Sequence, residues 1–285
     1  MSDIPVIDIH MHIQPWRQFN PGPLEMMKRS PEHFELMTRL CDNPQAFLDY
    51  LDEEGIQAAG LVNYVAPDVM GFQDSVCEFI TEYCKAAPDR LIPVGSLHPK
   101  FTPNVSERMD EIAEMGIRII KIHPPHQCIY PNAYRDGDEN LRIIYEKAEK
   151  YGIPIMIHTG TSVFPGARNV YADPLYVDDV AVDFPKLTIL LAHGGRPLWM
   201  DTSFFLMRRH QNMYLDLSGI PPKRLLEYFP RFELFADRAL FGTDWPGPGV
   251  PSMRGNVEQF LELPLQEDTK RKVLHDNAAK LFGLP

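Results

Sequence analysis

At 285 residues, 44% of them apolar, the chain can bury one large core, and α/β barrels of about 250 residues are built as single units. A net charge of −11 with no run of Lys or Arg argues against nucleic acid and anionic membranes as partners, since both reward basic patches. No apolar stretch approaches the roughly 18 residues of a membrane span.

The first apolar run, residues 5–13, reads Pro-Val-Ile-Asp-Ile-His-Met-His-Ile. In an extended strand Val6, Asp8, His10 and His12 share one face, while Ile7, Ile9, Met11 and Ile13 share the other. The two imidazoles stand a little under 7 Å apart at about 3.4 Å per residue. That spacing suits one divalent ion, because neutral imidazole is a common zinc ligand. With a strand beginning at once, no signal peptide is expected.

Residues 14–44 follow, rich in Pro and Met and too long for an ordinary connection, and are predicted to be a lid-like insertion over the barrel end that carries the two histidines. Trp16, Arg17 and Phe19 in this segment are candidates to pack over a substrate ring. From there strands and helices alternate. Strands are predicted at 58–64, 91–97, 117–122, 153–158, 188–193, 213–217 and 239–242. Helices are predicted at 45–54, 73–86, 105–114, 139–151, 175–183, 198–208 and 265–282. Gly55 and Gly152 stand where a left-handed helix cap is wanted. Cys77 and Cys84 lie on one predicted helix about 10 Å apart, beyond disulfide reach. With Cys41 and Cys128 they form no CxxC motif and read as reduced thiols of a cytoplasmic protein. Eight strand–helix units imply parallel pairing with right-handed crossovers, and hence an α/β fold of the (β/α)8 TIM-barrel type, one domain over residues 1–285. An open doubly wound sheet is the second choice, but no G-x-G-x-x-G follows the first strand.

The later strands end in polar residues: Lys121-Ile-His123-Pro, His158-Thr-Gly, His193-Gly-Gly, Asp216-Leu-Ser218 and Asp244-Trp-Pro. Barrel enzymes carry their chemistry at these C-terminal strand edges. Any one such residue is accounted for as a helix N-cap or a satisfied polar group. His10, His12, His158, His193 and Asp244 together at one barrel end are better accounted for as ligands and proton carriers. Arg168, after the fifth strand, reads either as a bidentate clamp for a substrate carboxylate or as a solvated loop charge. Trp245 reads as a wall of the substrate site or as core. Asp8 is expected to lie deeper and to orient an imidazole. Asp216 and Ser218 read as barrel structure.

In this order, from Asp8-Ile-His10-Met-His12 to Asn277-Ala-Ala-Lys-Leu-Phe-Gly, the motifs resemble the amidohydrolase superfamily over essentially the whole chain. The branch is the amidohydrolase-related one (amidohydrolase 2), with aminocarboxymuconate-semialdehyde decarboxylase-like and resorcylate decarboxylase-like enzymes. The resemblance implies one divalent metal ion on His10, His12, His158 and Asp244, zinc first and manganese as the alternative. It implies His193 as acid or base beside Asp244, and a small-molecule carboxylate as partner. A second ion, bridged by a carboxylated Lys121, is the lesser alternative to Lys121 as a cation for the substrate. The expected activity is metal-dependent hydrolysis of a small cyclic ester, lactone or amide. The alternative is non-oxidative decarboxylation or hydration of an aromatic or unsaturated acid, and a non-catalytic barrel comes last. A homodimer is the default assembly.

Overall fold

The computed structural model describes residues 4–247 and 249–284. Its strands are β1 (Ile7–Met11), β2 (Ala58–Val62), β3 (Leu91–Gly95), β4 (Ile119–Ile122), β5 (Ile155–His158), β6 (Ile189–Ala192), β7 (Met213–Asp216) and β8 (Ala239–Leu240). Each falls inside its predicted run, shortened at the ends. They pair in parallel in chain order, β1 beside β2 through to β8. Such pairing needs a crossover between neighbours, and helices supply it, as in the expected (β/α)8 TIM barrel.

The helices form where local chemistry closes their ends. In Pro44–Glu54 the Asn43 side chain accepts the Ala46 N–H, and Pro44 presets the first turn. In Glu139–Tyr151 Asp138 accepts from Leu141 N–H. Gly55 and Gly152 end these two helices at φ 77° and 66°, which a side chain would strain. The predicted last helix is divided, with a π turn at Lys272–Asp276 between Glu267–Arg271 and Asn277–Phe282. No helix of the described residues is long and apolar enough to cross a membrane. All four cysteines are unpaired.

Residues 14–44, the expected lid-like insertion, have helical structure of their own. They fold as a short 3-10 turn, Trp16–Gln18, and two helices, Pro21–Met27 and Pro31–Cys41. Proline at the first turn of each helix costs no hydrogen bond, so a Pro-rich stretch starts helices as readily as it breaks them.

The barrel is nearly closed between β8 and β1 by backbone bonds. Ile9 N–H donates to Phe241 O (3.0 Å), Asp244 N–H to His10 O (2.9 Å) and His12 N–H to Trp245 O (2.7 Å). Asp8 clips the same seam. Its carboxylate accepts the Thr243 hydroxyl (2.6 Å), the Thr243 N–H (3.1 Å) and the His10 N–H (3.0 Å). Burial pushes the Asp8 carboxyl up to about 7 against these hydrogen bonds. Thr243→Val leaves Asp8 Oδ2 without its donor and removes the acceptor of the Trp245 N–H. We expect a loss of about 2–3 kcal/mol in urea unfolding, as for buried polar groups left unpaired. An unchanged midpoint would show that the clip does not hold the seam.

Candidate active site

The strands deliver their last residues to a cavity of about 590 Å³ at the C-terminal end of the barrel. His10, His12, Lys121, His123, His158, His193 and Asp244 all line it. Trp16, Phe19, Met27, Met37, Phe164 and Tyr228 supply apolar wall.

His10 is fully buried. Its Nδ1 lies 2.6 Å from Asp216 Oδ2 and 2.9 Å from Ser218 Oγ. Burial, with Lys121 nearby, lowers its pKa to about 4, so the ring is neutral at pH 7. The Nδ1–H then donates to Asp216, and the Nε2 lone pair points into the site with no partner. Asp216 is therefore the carboxylate that orients an imidazole, the part the sequence suggested for Asp8. Asp8 is spent on backbone and Thr243 instead.

His12 Nδ1 donates to Val62 O (3.2 Å), and its Nε2 lies 3.0 Å from Asp244 Oδ1. In that tautomer two lone pairs face each other, which a cation between them relieves. His10 Nε2 is 3.6 Å from the same oxygen. His193 Nδ1 donates to Ser218 O (2.8 Å), and burial holds the ring well below its usual pKa. His193 and Asp244 both adopt left-handed backbone, φ 67° and 70°, a strain that concentrates at functional sites. Burial pushes the Asp244 carboxyl up, but the neighbouring His12, His10 and Arg196 side chains hold it well below the usual carboxylate range.

The donor atoms of His10, His193 and Asp244 lie within 4.8 Å of one another. With the orphaned His10 Nε2 and the His12–Asp244 contact, they fit a divalent cation. This grouping brings in His193, which the sequence reading had set beside the ion as acid or base. His158 reaches the same cavity, with its ring 4.6 Å from that of His193, but its Nε2 lies 3.1 Å from Gly160 O. Its other face stacks on His123 at 4.0 Å.

Lys121 is wholly buried, and its Nζ has no hydrogen-bond acceptor. Burial lowers its pKa to about 8, against the pull of Asp216 and Asp244, so it remains protonated at pH 7. An unpaired buried ammonium in a cavity calls for an anion from outside the protein.

The other substrate candidates separate. Trp16 lines the cavity, with its indole N–H donating to Asp42 (3.2 Å). Arg17 is exposed and makes a two-pronged pair with the same Asp42 at 2.7 Å, so its guanidinium is engaged at the surface. Arg168 is exposed and does not line the cavity, and Trp245 is packed in the core against Phe47 and Tyr50. The guanidinium that does enter is Arg196. It donates from Nε to Gly219 O (2.6 Å), from Nη1 to Thr161 O (3.3 Å) and from Nη2 to Asp244 Oδ2 (3.2 Å). Its signal in the sequence was its place three residues beyond His193, at a strand end. Gln14, Tyr64, His126 and Ser162 also line the cavity and carried no motif.

The amidohydrolase family model matches residues 7–284. A gamma-resorcylate decarboxylase from Rhizobium sp. (strain MTP-10005) is 22% identical over 311 aligned positions, covering 88% of this chain and 90% of the relative. Among solved structures, an uncharacterized TIM-barrel protein from Bordetella bronchiseptica superposes with a TM-score of 0.77 at 25% identity, covering 98% of this chain and 99% of that one. A 5-carboxyvanillate decarboxylase from Novosphingobium aromaticivorans, complexed with manganese and 4-hydroxy-3-methoxy-5-nitrobenzoic acid, superposes with a TM-score of 0.70 at 16% identity, covering 99% and 97%.

Asp216→Asn keeps the shape but weakens the pull on the His10 Nδ1–H. Loss of such a carboxylate typically lowers metal affinity by about 10–100-fold. Titration of chelator-stripped protein with manganese or zinc measures it, and wild-type affinity in the variant would separate Asp216 from the metal centre.

Proposed function

Because the chain belongs to the amidohydrolase family, we propose that it is a metal-dependent lyase that removes the carboxyl group of an aromatic acid without oxidation. The observation that carries this is the buried, unpartnered Lys121 ammonium beside the His10–His193–Asp244 donor set, in a cavity with apolar walls. The curated relative and the manganese-bound neighbour, both decarboxylases of aromatic acids by name, support the same choice. The hydrolysis of a cyclic ester, lactone or amide that the motifs first suggested becomes the competing outcome.

His10, His193 and Asp244 would hold the ion, with His12 at the carboxylate and His158 alongside. Zinc and manganese both suit these donors. When bound, the ion supplies Lewis-acid polarisation of substrate oxygens. The remaining work falls to side chains. Lys121 balances the substrate carboxylate. Trp16, Phe19 and Phe164 bury the ring and exclude water. The reaction breaks the bond between ring and carboxylate, releases carbon dioxide and needs one proton at the ring carbon. Asp244 would carry it. Its Oδ1 faces His12 and its Oδ2 faces Arg196, so it rests as a carboxylate that can take a proton from a substrate hydroxyl and return it at carbon. His193 is held neutral by burial, which suits it to bind rather than to donate.

The test is carbon dioxide release from a panel of hydroxybenzoates, 2,6-dihydroxybenzoate included, by protein loaded with manganese or zinc. Release is expected, and Asp244→Asn should lower kcat by about 10²–10⁴-fold, the usual range for losing a proton carrier. Turnover of lactones with no carbon dioxide from any aromatic acid would move the assignment to hydrolysis.

A further inference from the structure

One wall of the cavity carries a hydrogen-bonded chain that the reaction above does not use. Tyr64 follows β2, His126 follows β4 and Ser162 follows β5, and all three line the cavity. His126 Nε2 lies 2.7 Å from Ser162 Oγ, and its Nδ1 lies 3.2 Å from the Tyr64 hydroxyl. The ring cannot turn freely, because it stacks on His123 with centroids 3.6 Å apart and planes at 11°. Burial keeps it neutral, with a pKa near 3, so it has one donor and one acceptor nitrogen.

The chain has two directions open to it, and with Ser162 as its first donor it runs toward Tyr64. Ser162 Oγ already accepts the Phe164 N–H (3.3 Å), and among the described contacts its own proton has His126 Nε2 as acceptor. The imidazole proton is then on Nδ1 and goes to the Tyr64 oxygen. The Tyr64 O–H is left to donate elsewhere. Gln14 lies beside that hydroxyl, more than nine-tenths buried, and its Nε2 has no acceptor. Both residues line the cavity, and buried donors without partners are rare because they are costly.

We propose that Tyr64 and Gln14 form a second polar subsite, which receives an acceptor oxygen of the substrate other than those of the reacting carboxylate. His126 and Ser162 are positioning residues that aim the Tyr64 hydroxyl. The inference rests on the aromatic-acid reading and narrows it to ring acids with a second oxygen-bearing group, such as a further carboxylate.

The experiment is calorimetric titration of the manganese-loaded full chain with benzoate, benzene-1,3-dicarboxylate and benzene-1,4-dicarboxylate. One dicarboxylate should bind about tenfold or more tightly than benzoate, as expected for a hydrogen bond to a charged acceptor. Tyr64→Phe and, separately, Gln14→Leu should each reduce that ratio several-fold. Ser162→Ala should reduce it less, by freeing the direction of the His126 proton. Equal affinities for all three acids in the wild type would overturn the subsite alone, as would a fall by one common factor in the Tyr64 and Gln14 variants. Failure of the wild type to bind any of the acids would overturn the aromatic-acid reading and the subsite with it.

Discussion

The seam between β8 and β1 is the constraint on which the rest of this molecule depends. Asp244 N–H donates to His10 O across it, and Asp8 ties the Thr243 side chain and backbone to the strand that carries His10. Closing the barrel and assembling the site are thus one event. Residues separated by 234 positions become neighbours because parallel strands all present their C-terminal ends to the same side.

That closure has an electrostatic consequence. The polar groups at the strand ends are taken out of water, so the His10 and His193 imidazoles lose their charge, and Lys121 keeps its proton with no hydrogen-bond partner to balance it. A site of neutral nitrogen donors, one constrained carboxylate and an unpaired ammonium is poised for a cation together with an anionic ligand. The charge of the whole chain, −11, says nothing of this, because the local sign in the cleft is set by which few groups are buried there.

The fold was legible because its signals are local. Strand and helix periods, caps such as Gly55 and Gly152, and polar residues at the ends of apolar runs are all read within a dozen residues. The helices within the segment 14–44 went unread because Pro at the first position of a helix and Pro in a turn look alike in composition. The candidate ligands were legible for the same local reason, each being the polar residue that ends a strand.

What the sequence settled by itself was therefore the barrel, its strand order and the roster of donors at one end. Partnerships were decided only by the tertiary structure. Asp216 rather than Asp8 orients His10, Arg196 rather than Arg168 enters the cavity, and Trp245 lies in the core rather than in the wall. The physical reason is that a side chain's identity and strand position are properties of its own segment. The direction it points and the atom it meets depend on how distant segments close around it, and no local period carries that information.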